Sequence, residues 1–122
     1  MSADGFSMVN GSDNVTWQEN YFRGTSDDCG ACWSQNTQWP STTNNAYKVS
    51  TNPRWINNDM TCVRWGVGAG VWGADGGAVL NNYIADIQRN GGVKFDTSQT
   101  TMGTSNFTVS GNKFVRCGNI AP

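Results

Sequence analysis

Four cysteines in a chain of 122 residues constrain what it can fold into more than any other feature: Cys29, Cys32, Cys62 and Cys117. An even set in a small domain with 14% charged residues reads as a disulfide framework, which places the chain in an oxidising setting. Three connectivities are open to four cysteines. The expected one joins Cys62 to Cys117, both in strand-like segments, and Cys29 to Cys32 locally. A four-thiolate zinc site is the rival, but it normally needs two close pairs. Here Cys62 and Cys117 lie far apart, and with no His in the chain nothing substitutes, so no metal and no cofactor are assigned.

The length fits a single domain spanning residues 1–122, with no internal repeat and no linker expected. Asn, Gly, Thr and Ser together number 52, so neutral polar groups rather than charge supply solubility. Six Trp, five Phe and three Tyr give a core its material, which separates the chain from disordered sequences. A formal net charge of −1 without a basic cluster argues against nucleic acid as a partner. No apolar run reaches the length of a membrane span, so no membrane insertion is expected. Met1 to Gly11 lacks the basic and apolar regions of a signal peptide.

Short alternations mark strands around Val15–Gln18, Ala46–Val49 and Met60–Trp65. Glycine at every second position from Gly66 to Gly70 suits either a bulged strand or a groove that something approaches closely. Val79, Leu80, Tyr83, Ile84 and Ile87 have the spacing of a buried helical stripe, and the expectation is a helix over about 78–89 ending at Gly91. Phe107–Ser110 and Lys113–Arg116 flank Gly111-Asn112 as a hairpin would, with Val109 opposite Phe114. The expected fold class is therefore α+β: a mainly antiparallel sheet of five or six short strands with one helix on one face, long polar loops and disulfide stabilisation.

Without His, the Ser-His and Cys-His mechanisms are closed, and no catalytic residue is assigned. Asp27-Asp28 is the only adjacent carboxylate pair, and it reads as a solvated or turn-forming element of a polar loop. Cys29-Gly30-Ala31-Cys32 resembles the redox tetrapeptide of thioredoxin-like proteins, yet neither the apolar strand before it nor the helix after it is present. With Trp33 added, the same stretch resembles the CGxCW segment of expansins and cerato-platanins. Lys94-Phe95-Asp96 resembles the expansin His-Phe-Asp motif without its His. That resemblance implies a small carbohydrate-active protein.

Trp33 and Trp39 stand in a loop otherwise made of Ser, Gln, Asn and Thr. Sugars stack their C–H faces on indole rings and hydrogen-bond to neutral amides, so Trp33, Trp39, Gln35, Asn36 and Gln38 are the candidate ligand-binding residues. Trp17 and Trp65 read as core. The expected function is a non-enzymatic extracellular or surface-exposed module that binds carbohydrate or a cell-surface partner. The alternative is a self-associating structural subunit of an extracellular assembly such as a virion surface, fimbria or filament.

Overall fold

The computed structural model describes residues 4–34, 49–97 and 103–118. Among them are thirteen strands: β1 (Phe6–Val9), β2 (Thr16–Gln18), β3 (Tyr21–Arg23), β4 (Gly30–Trp33), β5 (Ser50–Thr51), β6 (Arg54–Ile56), β7 (Asp59–Val63), β8 (Ala69–Trp72), β9 (Ala74–Leu80), β10 (Tyr83–Ile87), β11 (Val93–Phe95), β12 (Thr104–Ser110) and β13 (Lys113–Cys117). Every pairing is parallel. Sheet A runs β1-β4-β8-β11, sheet B runs β2-β6-β9-β12, with β5 also on β9, and sheet C runs β3-β7-β10-β13. The chain visits A, B and C in turn four times, so it winds as a parallel β-helix of four coils. Consecutive coils lie one strand spacing apart, about 4.8 Å.

An eleven-residue block recurs in each coil. Left-handed backbone occurs five residues apart at Asn14, Glu19 and Gly24, then at Asn52, Asn57 and Cys62, at Gly76, Asn81 and Asp86, and at Asn106, Gly111 and Arg116. These are the corners that carry the chain out of one sheet and into the next. Asn and Gly dominate the first two columns because they tolerate positive φ best. Directly after the middle corner stands Asn20, Asn58, Asn82 or Asn112, and the four form a ladder. The backbone N and Nδ2 of Asn58 donate to Asn82 Oδ1 at 2.9 and 3.0 Å, and those of Asn82 to Asn112 Oδ1 at 2.9 Å each. Asn20 bonds to Asn58 Oδ1 in the same way at 2.9 and 3.1 Å. Nδ2 of Asn58, Asn82 and Asn112 also reaches back to the carbonyls of Trp17, Trp55 and Val79. Asn58 and Asn82 are buried, and the ladder satisfies the corner's polar groups where water does not reach.

Inside, like stacks on like. Trp17 lies against Trp55 at 4.7 Å, followed in register by Val79 and Val109. Phe22, Met60, Ile84 and Phe114 form another column, and Met8, Cys32, Val71 and Phe95 a third. Gly30 gives Trp55 its place: a Cβ there would lie 2.4 Å from the indole nitrogen.

Several sequence expectations are overturned. The fold is all-β and parallel rather than α+β and antiparallel, and no helix covers residues 78–89. That segment is the end of β9, a corner at Asn81-Asn82 and β10. Val79 faces inward from one strand and Ile84 and Ile87 from the next, and the corner between them reproduces a helical spacing. Gly111-Asn112 is likewise a corner, and Val109 and Phe114 pair with Val79 and Ile84 of the preceding coil rather than with each other. The expectation of no internal repeat also fails. Equivalent blocks are 38, 24 and 30 residues apart, as in Tyr21, Asp59, Tyr83 and Lys113, because the loops between them differ in length.

No disulfide forms, and all four thiols are free. Cys62 and Cys117 lie on β7 and β13 with β10 between them, which separates their strands by about 9.6 Å, beyond bridging range. Cys32 points into the core from an extended segment, which carries it away from Cys29. Burial pushes both thiols up to about 11.

Candidate functional site

The outer face of sheet A carries two columns of side chains. One is Ser7, Ala31, Gly70 and Lys94; the other is Val9, Trp33, Trp72 and, one residue past β11, Asp96. Alternation along each strand sends these residues outward while Met8, Cys32 and Val71 go in. Small residues in the first column leave room for the indoles in the second. A Cβ on Gly70 would lie 2.3 Å from the Trp72 ring, so glycine there is a requirement of the aromatic beside it.

Trp33 and Trp72 stack face to face, with centroids 4.1 Å apart and planes 5° from parallel. The rung spacing of the helix imposes this, since two rings at the same position on adjacent coils meet at close to stacking distance. Trp72 is nearly buried beneath its neighbours, whereas Trp33 keeps part of its surface open. On the next rung Lys94 Nζ lies 6.0 Å from the Trp72 ring centroid and 2.7 Å from Asp96 Oδ2. Along the helix axis the face thus reads indole, indole, ion pair.

Val67 joins this face to a carboxylate cluster. Its side chain packs with Ala31, Trp72 and Trp33, and its N–H donates to Asp28 Oδ1 at 2.7 Å. Asp4, Asp27 and Asp28 bring carboxylate oxygens within 4.8 Å of one another. Burial pushes Asp28 up to about 7, with Asp4 and Asp27 adding to the rise, and Asp27 is raised as well, first by burial and then by Asp4. Asp28 is only 3% exposed and accepts from the backbone, so it holds the corner before β4 rather than meeting a substrate. Gly66 fits against it; a Cβ there would lie 2.2 Å from Asp28 Oδ1.

Of the candidate ligand residues, Trp33 is on this face. Trp39, Gln35, Asn36 and Gln38 lie outside the described residues. Trp65, expected in the core, is 50% exposed beneath the Arg89 guanidinium, 4.1 Å from the ring centroid. Trp17 is buried. Trp72, Lys94 and Asp96 were not singled out as ligand-facing by the sequence. Equal spacing of Trp33 and Trp72 from Gly30 and Ala69, the first residues of β4 and β8, is the signal that would have paired the rings. Among known proteins, the chain matches no family model, no curated protein and no solved structure.

Proposed function

We propose that the chain is a non-catalytic β-helix module that binds carbohydrate across the outer face of sheet A. Trp33 is the stacking surface, Trp72 the ring that holds it flat, and Lys94 with Asp96 the polar edge. The parallel Trp33–Trp72 stack on the outside of a sheet carries the reading, because an open indole beside small residues suits the C–H face of a sugar. The Lys94–Asp96 pair offers both a donor and an acceptor to ring hydroxyls. Nothing in the unbridged cysteines ties such a module to an oxidising compartment.

A glycan array on the wild type, followed by titration of the best binder, tests the proposal. Trp33→Ala should weaken binding by about tenfold or more, equivalent to about 1.4 kcal/mol. The fold should survive, since the ring is only partly buried. An array with no binder, or a W33A protein that binds as well as wild type, overturns the reading.

A further inference from the structure

Among the described residues, the first and fourth coils have a neighbouring coil on one side only. Residues that point inward are sealed in the middle and open at the C-terminal end. Val71, Val79 and Ile84 are 0% exposed, whereas Phe95, Val109 and Phe114, the next residues in the same columns, are 42%, 44% and 47% exposed. Phe6 on the first coil is 43% exposed. An apolar end with a strand edge beside it is a surface for pairing.

What fits it is set by the repeat. Each coil hands the next a fixed set of groups at the ladder corner. Glu19, Asn57 and Asn81 donate their N–H to the carbonyls of Ile56, Leu80 and Ser110 on the following coil. Asp59, Tyr83 and Lys113 donate theirs back to the carbonyls of Asn20, Asn58 and Asn82. By the same register, the fourth coil offers Gly111 N–H, Asn112 N–H and the Asn112 carbonyl. The first coil offers the matching Gln18 carbonyl, Asn20 Oδ1 and Tyr21 N–H. The ladder therefore ends in complementary halves.

The side chains agree. Down one outer column Asp13, Thr51, Asp75 and Ser105 alternate, with Thr51 donating to Asp13 and Ser105 to Asp75 at 2.7 Å; Asp13 of a following copy would continue the series next to Ser105. Lys113 lies 5.6 Å from the Tyr83 ring centroid, and Tyr21 of a following copy would cover its other side. Arg116 would meet Gly24 and Lys94 would meet Ser7, so no like charges coincide. Inward, Phe114 would cover half-buried Phe22, and Phe95 and Val109 would face the first coil at Phe6, which is 43% exposed and lies against Trp17; Met8 and Trp17 themselves are already buried within that coil. We propose that the last coil of one copy stacks on the first coil of the next as coil four stacks on coil three, so that the chain associates head to tail with itself. Such a contact is heterologous and does not close, so it grows into filaments.

Sedimentation velocity and electron microscopy over a range of concentrations read the outcome. Wild type should grow in mass with concentration without reaching a fixed size. Val109→Lys places a charge in the C-terminal face at an exposed position and should leave the protein monomeric. Its first coil remains intact, so a minor fraction of V109K mixed into wild type should cap growing ends and shorten the filaments. Phe114→Lys serves the same purpose if circular dichroism shows V109K to be unfolded. A wild type that stays monomeric, or a dimer of fixed size indifferent to added V109K, overturns the proposal.

Discussion

Asn82→Ala tests whether the ladder holds the coils together. Asn82 is buried and sits on coil three, bridging coils two and four. Its Oδ1 accepts from the backbone N and Nδ2 of Asn58 at 2.9 and 3.0 Å, and its Nδ2 donates to the Trp55 carbonyl at 3.0 Å and to Asn112 Oδ1 at 2.9 Å. Alanine removes all four bonds. Asn58 Nδ2 keeps the Trp17 carbonyl and Asn112 Oδ1 keeps the Asn82 N–H, but the Asn58 N–H and the Trp55 carbonyl lose these partners. A buried polar group left unpaired costs about 1–3 kcal/mol, so the variant should lose about 2–5 kcal/mol of a stability that for most domains is about 5–15 kcal/mol. Urea unfolding followed by the fluorescence of buried Trp17 and Trp55 measures it. Asn20→Ala, on the exposed terminal rung, should cost less than about 1 kcal/mol and serves as the control. Equal losses for the two variants, or a loss below about 1 kcal/mol at Asn82, would refute the assignment of stability to the ladder.

Two further outcomes follow from burial. Asp28, raised to about 7 in the folded protein against about 3.9 when unfolded, stays protonated on folding through that window; its contribution is complete below about pH 4 and is lost as pH rises towards 7, on the order of 4 kcal/mol. Asp28→Asn keeps an acceptor for the Val67 N–H, so it should match wild type at pH 4, exceed it at pH 8 and flatten the profile between. Parallel profiles for the two proteins would show that Asp28 does not carry the effect. Alkylation of the native protein should spare Cys29 and Cys32, which are fully buried, while the unfolded chain titrates all four thiols. A peptide linking Cys62 to Cys117 in a non-reducing digest would contradict the separation of β7 from β13.

Only part of the strand content was legible in the sequence, which offered five or six antiparallel strands where thirteen parallel ones form, and none of their arrangement was. Alternation exposed β2 and β7 because each of those strands has one face in the core. It was silent about pairing, since the partner of Tyr21 is Asp59 and that of Asp59 is Tyr83, and loops of unequal length blur that period. The misread helix has a definite cause: left-handed Asn81 turns the chain between Val79 and Ile84, and two strands around a corner mimic one helical stripe. The cysteine argument failed because it weighed composition against compartment, whereas here the thiols serve as small core side chains or corner residues. Trp33 was singled out through its polar surroundings, and the register places it on the outer face of sheet A. Trp72 was not, since its partnership depends on register rather than on neighbours in the chain.

The five-residue metre of the left-handed corners has a consequence for change over time. It fixes the perimeter through sheets B and C to the residue, and leaves the return through sheet A unmetered: from Gly24 to Asn52 the chain takes twice as many steps as from Cys62 to Gly76. One flank of the molecule is thus a rigid gauge and the other a set of free-length spans. Lengthening or exchanging a span alters what the sheet A face presents while every rung of the gauge stays in place, so novelty at the proposed binding face and preservation of the fold draw on separate parts of the same chain.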